Sequence, residues 1–420
     1  MNSTQNNISS ASISASNGKN YDNVMIAGDG IGGLVFAGRL AQSERFAGRV
    51  TVVAPKGRPI SRRLILGCSL RGSAVAPICQ GLDIDRDTFL DAVFQSQSSY
   101  PACSRATLAM WKPNKNGKPF SPYGEGSWLG GSRGNGTPYA YSTRNQQITT
   151  KIRQFAENLP IEFIERKVES LDDLKSMATD KTGRTLYVNA TGNPTLFGAP
   201  AKKPTRMCFA VQGAFRVGPE GLRAPLASGE IHAPFVRRNG IINVGFLTPF
   251  SDPLNPTATW YAILSRPVVA DSGYDKDQEL KTLTDELLAI AKGGGLIPVD
   301  PDETLAAALV PGGWFLDAPK SAPGTIELKQ LYSAGVPTYF ADGMSGAALS
   351  GITAADAVLK GRSPDADVIK MLRPFRASNY LHWTLMGPMS GMTNMILRAI
   401  PSIGSKLYAP QHRLWQEAFA

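Results

Sequence analysis

A chain of 420 residues, 42% hydrophobic and 19% charged, has the make-up of a globular protein rather than a disordered or fibrous one, with room for two or three domains of about 150 residues. Its formal charge of +10 is spread along the chain and forms no basic block interleaved with aromatics, so nucleic acid is not an expected partner. Four cysteines without a CxxC pair and only three histidines argue against a metal centre or a disulfide scaffold. No apolar run approaches about 18 residues, so no spanning segment is expected and the cytoplasm is the default address.

The first twenty residues are rich in Ser and Asn, lack the apolar core of a signal peptide, and read as a disordered leader (residues 1–20). "NVMIAG" then reads as a short buried strand, "GGLVFAGRLAQSERF" as a helix with Leu34, Val35, Ala37 and Leu40 at helical spacing, and "GRVTVVAP" as a second buried strand. Together they form a βαβ unit. From Lys56 to about Tyr141 the chain loses period and is rich in Gly, Ser and Pro, apart from a helix at "DRDTFLDAVFQS". "TRNQQITTKIRQFAENL" reads as an amphipathic helix with Ile148, Ile152 and Phe155 on one face. "IEFIERKVESL" and "TLYVNATG" read as strands, the latter a parallel strand whose carboxyl end, at Thr191 and Gly192, opens on a ligand crevice. A β-rich block follows from about Lys203 to Leu264, then a helix at "DQELKTLTDELLAIAKGG". "TYFADGMSGAALSGITAADAVLKGR" returns to strand, glycine turn and helix, with the helix starting near Ser345 or Gly346, and the tail is apolar, Met-rich and broken by Pro and Gly.

Two stretches carry chemistry. In "VMIAGDGIGGLVFAGRLA" the glycines Gly28, Gly30 and Gly33 stand at the spacing of a dinucleotide fingerprint. The first allows a tight turn, the second close approach of backbone to a pyrophosphate, and the third close packing of helix on strand. The helix opening at Ile31 then offers free N–H groups to the phosphates. The acid that usually closes the second strand and binds ribose is absent: Ala54 stands there, followed by Lys56, Arg58 and Arg62, basic residues able to reach phosphate or ribose. Weak ribose binding implies a loosely held dinucleotide. In the late stretch, Asp342 can take a ribityl or ribose hydroxyl, while Gly343, Gly346 and Ala347 allow backbone approach at a helix start able to stabilise an anion, such as a reduced flavin carries around its N1 and C2 carbonyl.

The early GxGxxG, the central Ala190-Thr191-Gly192 and the late "ADGMSGAALSGITAADAVL" together resemble the FAD-dependent monooxygenase superfamily with the p-hydroxybenzoate hydroxylase-type fold. Within it the chain is most similar to the two-component styrene monooxygenases and the tryptophan-halogenase-like branch, on the missing acid and on the Trp-containing apolar tail "LHWTLMGPMSGMTNMIL". The resemblance implies an α/β fold: a discontinuous Rossmann-type FAD-binding domain (21–200 and 325–370), a β-sheet substrate domain (201–324) and a C-terminal helical cap (371–420). It implies FAD as cofactor, a small apolar or aromatic substrate hydroxylated or epoxidised through a flavin C4a-hydroperoxide in a dry pocket, and no obligatory catalytic base. It also implies a flavin pyrophosphate contact for Arg144.

The chain departs from the superfamily in three ways. "NATGNPTLFG" stands where single-component hydroxylases carry a DG motif, and there is no second fingerprint for a nicotinamide domain, which points to a partner flavin reductase. "SWLGGSRG" does not match the halogenase WxWxIP motif, so chlorination is not expected. Two other readings stay open: a flavin-dependent reductase or cyclase of prenyl lipids, to which a membrane contact by Pro374 to Tyr408 would belong, and a flavoprotein that modifies a protein side chain. His382 and Trp383 are candidates to line a substrate pocket, as are Phe209, Phe215 and Phe235 on the covering sheet.

Overall fold

The computed structural model describes residues 21–56, 69–94, 102–103, 105–112, 121–129, 138, 140–178, 183–193, 196–197, 206–224, 226–269, 273, 275–299, 306–312, 324–328 and 342–400. Arg58 and Arg62, the leader 1–20, the strand expected before Asp342 and the end of the tail beyond 400 lie outside them, as do the side chains of Asp342, His382 and Trp383.

The first layer is a five-stranded parallel sheet in the order Thr325–Glu327, Thr185–Asn189, Asn23–Ala27, Arg49–Ala54, Ile161–Glu165. Its central strands are near-continuous apolar runs because both faces are covered, and Val24, Ile26, Val52 and Val53 are wholly buried. The helix Ile31–Ala41 crosses from the first of these strands to its parallel neighbour. It is buried on almost every side, as a helix this apolar must be. The helix Asp342–Leu359 packs along it: a Cβ on Gly32 would lie 2.9 Å from the Ala347 carbonyl oxygen, and one on Gly351 would press on the carbonyl of Gly32. Further along, Arg39 Nε reaches Asp356 Oδ1 at 2.9 Å. Low-numbered residues thus meet low-numbered ones, so the two helices run in the same direction and their amino ends lie at the same end of the layer. The late helix begins at Asp342, earlier than the sequence implies, which puts Gly343 and Gly346 inside its first turns.

The second layer is a mainly antiparallel sheet in the order Leu296–Pro298, Arg206–Val217, Trp260–Val269, Ile241–Pro249, Ile231–Arg238, Arg105–Lys112, Ser121–Leu129, with Ala306–Gly312 also paired to Arg206–Val217. One face packs on the helix Lys276–Gly293, burying Phe209, Val211 and Leu264 against Leu283, Leu287 and Ile290. Two of its strands come from the stretch read as aperiodic. Arg105–Lys112 joins the distant Ile231–Arg238 in parallel and its sequence neighbour Ser121–Leu129 antiparallel, and the long-range pairing overrides a weak local pattern. A small sheet of Ser69–Arg71, Ala140–Ser142 and Ala102–Cys103 lies between the layers. The tail is helical over Pro364–Met386, running through Pro374, and over Ser390–Ala399. No helix among the described residues is long and apolar enough to cross a membrane.

Candidate functional site at the carboxyl ends of the parallel strands

The first strand ends in Gly28, whose N–H donates to the Val53 carbonyl at 2.8 Å. Gly28 has φ 99°, and a Cβ there would fall 2.9 Å from both the carbonyl carbon and oxygen of Ala190, so only glycine makes this turn. Gly33 has a different constraint: its Cβ would lie 2.7 Å from the Gly28 carbonyl oxygen and 2.8 Å from the Ala190 Cβ. It is the residue that lets the helix press on the strand. Between them Gly30 caps the helix in an extended conformation without any side-chain cap, and the first turn contains no acidic residue. The N–H groups that open the helix at Ile31 are therefore uncapped and suited to an anion.

The Ala190-Thr191-Gly192 turn meets this loop directly, since Thr191 Cα would lie 3.0 Å from a Cβ on Gly28. The turn is held from within. Asn189 Oδ1 accepts from the Thr191 N–H at 3.1 Å and from its hydroxyl at 2.7 Å, its amide donates to the Asn193 carbonyl, and Gly192 takes φ 76°. Thr191 and Gly192 are exposed at the carboxyl end of their strand, the end at which open α/β sheets bind ligands.

Ala54 closes the second strand, almost fully buried. A carboxylate does stand at its level, one strand over: Glu165 is the register partner of Ala54 and is exposed. Paired residues on neighbouring strands point to the same face about 4.8 Å apart. Sequence reading, which looked for the acid along the chain, had no signal for one supplied laterally. A second missed feature is Arg153. It donates to Asp29, within the glycine loop, at 3.0 Å, to Glu157 one helical turn on at 2.8 Å, and lies with its guanidinium carbon 3.7 Å from the Phe163 ring centroid.

Arg144 is at the helix start expected, as the backbone cap of Asn145–Ala156, but its guanidinium serves the second layer. Its Nε and Nη2 donate to the two carboxylate oxygens of Asp252, both side chains being almost completely buried. With the Thr143 hydroxyl on the Ser251 carbonyl at 2.9 Å, this ion pair fastens the helix of the first layer to a loop of the second.

The late helix contributes Gly343, half-buried, and Ser345, Gly346 and Ala347, buried. The Ser345 hydroxyl accepts from the Arg71 N–H of the small sheet at 3.3 Å, and Ala347 packs its carbonyl on Gly32. Because the two helices are parallel, their amino ends lie at the same end of the layer. Phe209 and Phe215 point instead into the core under Lys276–Gly293, and Phe235 is wholly buried. Burial pushes the Cys79 thiol up to about 12 and the Cys103 thiol up to about 11, so neither is a ready nucleophile. His232 accepts from the Trp111 indole N–H at Nε2 at 2.8 Å, and burial holds it neutral, its pKa pushed down to about 3.

No protein-family model matches the chain, and no curated protein matches it in sequence. Solved structures match it in fold. The myxobacterial chondrochloren halogenase CndH, described as a new variant of FAD-dependent halogenases, aligns with a TM-score of 0.56 at 15% identity over 95% of this chain and 95% of that one. Halogenase PltM gives 0.55 at 15% identity over 86% and 75% of the two chains, and a variant of it in complex with FAD gives 0.54. The tryptophan 6-halogenase SttH of Streptomyces toxytricini gives 0.51 at 13% identity over 87% and 80%. At these identities the likeness is one of architecture: the chain has the fold of these halogenase structures.

Proposed function

We propose that the chain is an FAD-dependent oxidoreductase that inserts oxygen into a small aromatic or apolar substrate. The observation that carries this reading is the cradle of Gly28, Gly30 and Gly33, where side chains at Gly28 and Gly33 would fill the space that backbone contact requires, at an uncapped helix start beside a second parallel helix start. The residues fit the group. Ile31 and its neighbours would hold the pyrophosphate through backbone N–H groups, Thr191 and Gly192 would flank it, and Gly343 and Gly346 would admit the flavin end. Bound and reduced, FAD supplies the electrons that activate dioxygen. The chain's own part is to orient cofactor and substrate and to exclude water, the second sheet (with the strands Arg105–Lys112 and Ser121–Leu129 added to 201–324) serving as the substrate side. A separate flavin reductase supplies reduced FAD, in keeping with the single fingerprint in the sequence.

Titration of the purified protein with oxidised and reduced FAD, followed by flavin fluorescence and absorbance, tests the reading. Saturable binding, tighter for the reduced form, is expected, and binding of neither form overturns it. Turnover of an indole and styrene panel with reduced FAD, oxygen and chloride then separates chemistries: oxygenated products are expected, and halogenated ones would replace monooxygenation by halogenation.

A further inference from the structure

Opposite the face that packs on Lys276–Gly293, the second sheet carries Gln212, Ile263 and Phe246 as cross-strand neighbours in one row, with Ala214, Tyr261 and Thr248 in the next. This face is turned toward the cofactor end. The Thr248 hydroxyl lies 3.2 Å from that of Ser142, Ser142 meets Ser69 at 2.9 Å, and in the same strand as Ser69 the Arg71 N–H reaches Ser345 at the start of the late helix. The Phe246 and Phe250 rings each stand 5.8 Å from that of Tyr261. Phe246 and Ile263 are only partly buried, so the apolar surface is partly open.

Gln212 is the anomaly in this surface. It is 3% exposed, the Tyr261 hydroxyl donates to its Oε1, and its Nε2 is buried with no hydrogen-bond partner among the described residues. A buried amide left half-satisfied lowers stability. Tyr261 fixes the amide through Oε1, and the two N–H bonds of Nε2 have no acceptor among the described residues.

We propose that Gln212 Nε2 is a specificity donor: it selects, among aromatic substrates, those bearing a hydrogen-bond-accepting oxygen such as a carbonyl, carboxylate or phenolic oxygen, over pure hydrocarbons. Tyr261 acts through Gln212 as a positioning residue. The inference rests on the second sheet being the substrate side, as proposed above, and it narrows the substrate class.

The test uses the full chain and the matched probes acetophenone and ethylbenzene, similar in shape and differing in the carbonyl, with affinities measured by ligand-observed NMR titration for wild type and Gln212→Met. Dividing one affinity by the other in each protein cancels the carbonyl's own hydration. The acetophenone-to-ethylbenzene ratio is expected to fall about tenfold on going to Gln212→Met, the worth of one well-placed hydrogen bond. Ethylbenzene binding should persist, and the variant should melt only modestly below wild type, because Gln212→Met removes the unsatisfied Nε2 but also the acceptor of the buried Tyr261 hydroxyl. An unchanged ratio overturns the proposal, as does failure of both probes to bind wild type. None of these measurements requires FAD, so a Gln212-dependent ratio in a protein that binds no flavin would leave this inference standing while the cofactor reading fell.

Discussion

Acidification should destabilise the protein through one buried imidazole. His232 is held neutral with a pKa of about 3 against an ordinary value of 6.5, because it lies wholly inside the second sheet and burial disfavours its charged form. The folded pKa is lowered, so on acidification the unfolded chain takes up the proton first. Stability from this group is complete above pH 6.5 and is lost progressively from there toward pH 3. At about 1.36 kcal/mol per pH step, the loss is roughly 2–3 kcal/mol by about pH 4.5 and about 4–5 kcal/mol once pH 3 is reached. Urea unfolding at a series of pH values, for wild type and His232→Gln, isolates the term, since Gln can still accept from the Trp111 indole but does not titrate. Asp85, lowered chiefly by its hydrogen bonds with Thr88, and Glu286, raised by burial, are common to both proteins and cancel in the difference. Parallel pH profiles for the two proteins would refute the reasoning; the expected result is that wild type loses stability more steeply below pH 6.5.

Gly33→Ala should destabilise the chain by about 1–3 kcal/mol and weaken FAD binding as well, because the added methyl forces the helix off the Gly28 carbonyl and Ala190, and melting with flavin titration reads both effects. Asp252→Asn removes the carboxylate charge that faces the buried Arg144 guanidinium and should cost about 3–5 kcal/mol in urea unfolding, whereas replacing both partners by apolar residues should cost less. Glu165→Gln is expected to weaken FAD about tenfold while leaving riboflavin, which lacks the adenosine, unaffected in competition binding. Asp356→Asn, by contrast, removes a partly exposed pair with Arg39 and should shift stability by less than about 1 kcal/mol.

What could be read from the chain itself was whatever local sterics and periodicity decide. A strand that must be buried on both faces announces itself as "VTVV", a glycine needed at φ 99° cannot be another residue, and Ile148 and Ile152 at helical spacing are the buried face of their helix. Those signals located the βαβ unit, the central Thr191 turn and the late helix. The tertiary structure decided what depends on partners distant in sequence. The strand Arg105–Lys112 joins the sheet because Ile231–Arg238 offers an edge to pair with, and Ser121–Leu129 adds to it in turn; Arg144 turns to Asp252 because a loop of the second layer buries a carboxylate against it. Glu165 comes to stand beside Ala54 only through sheet register, and Gln212 loses water without gaining a second partner among the described residues only because the sheet has closed around it. Such pairings leave no period in the chain, since their free energy is realised only when segments distant in sequence have met.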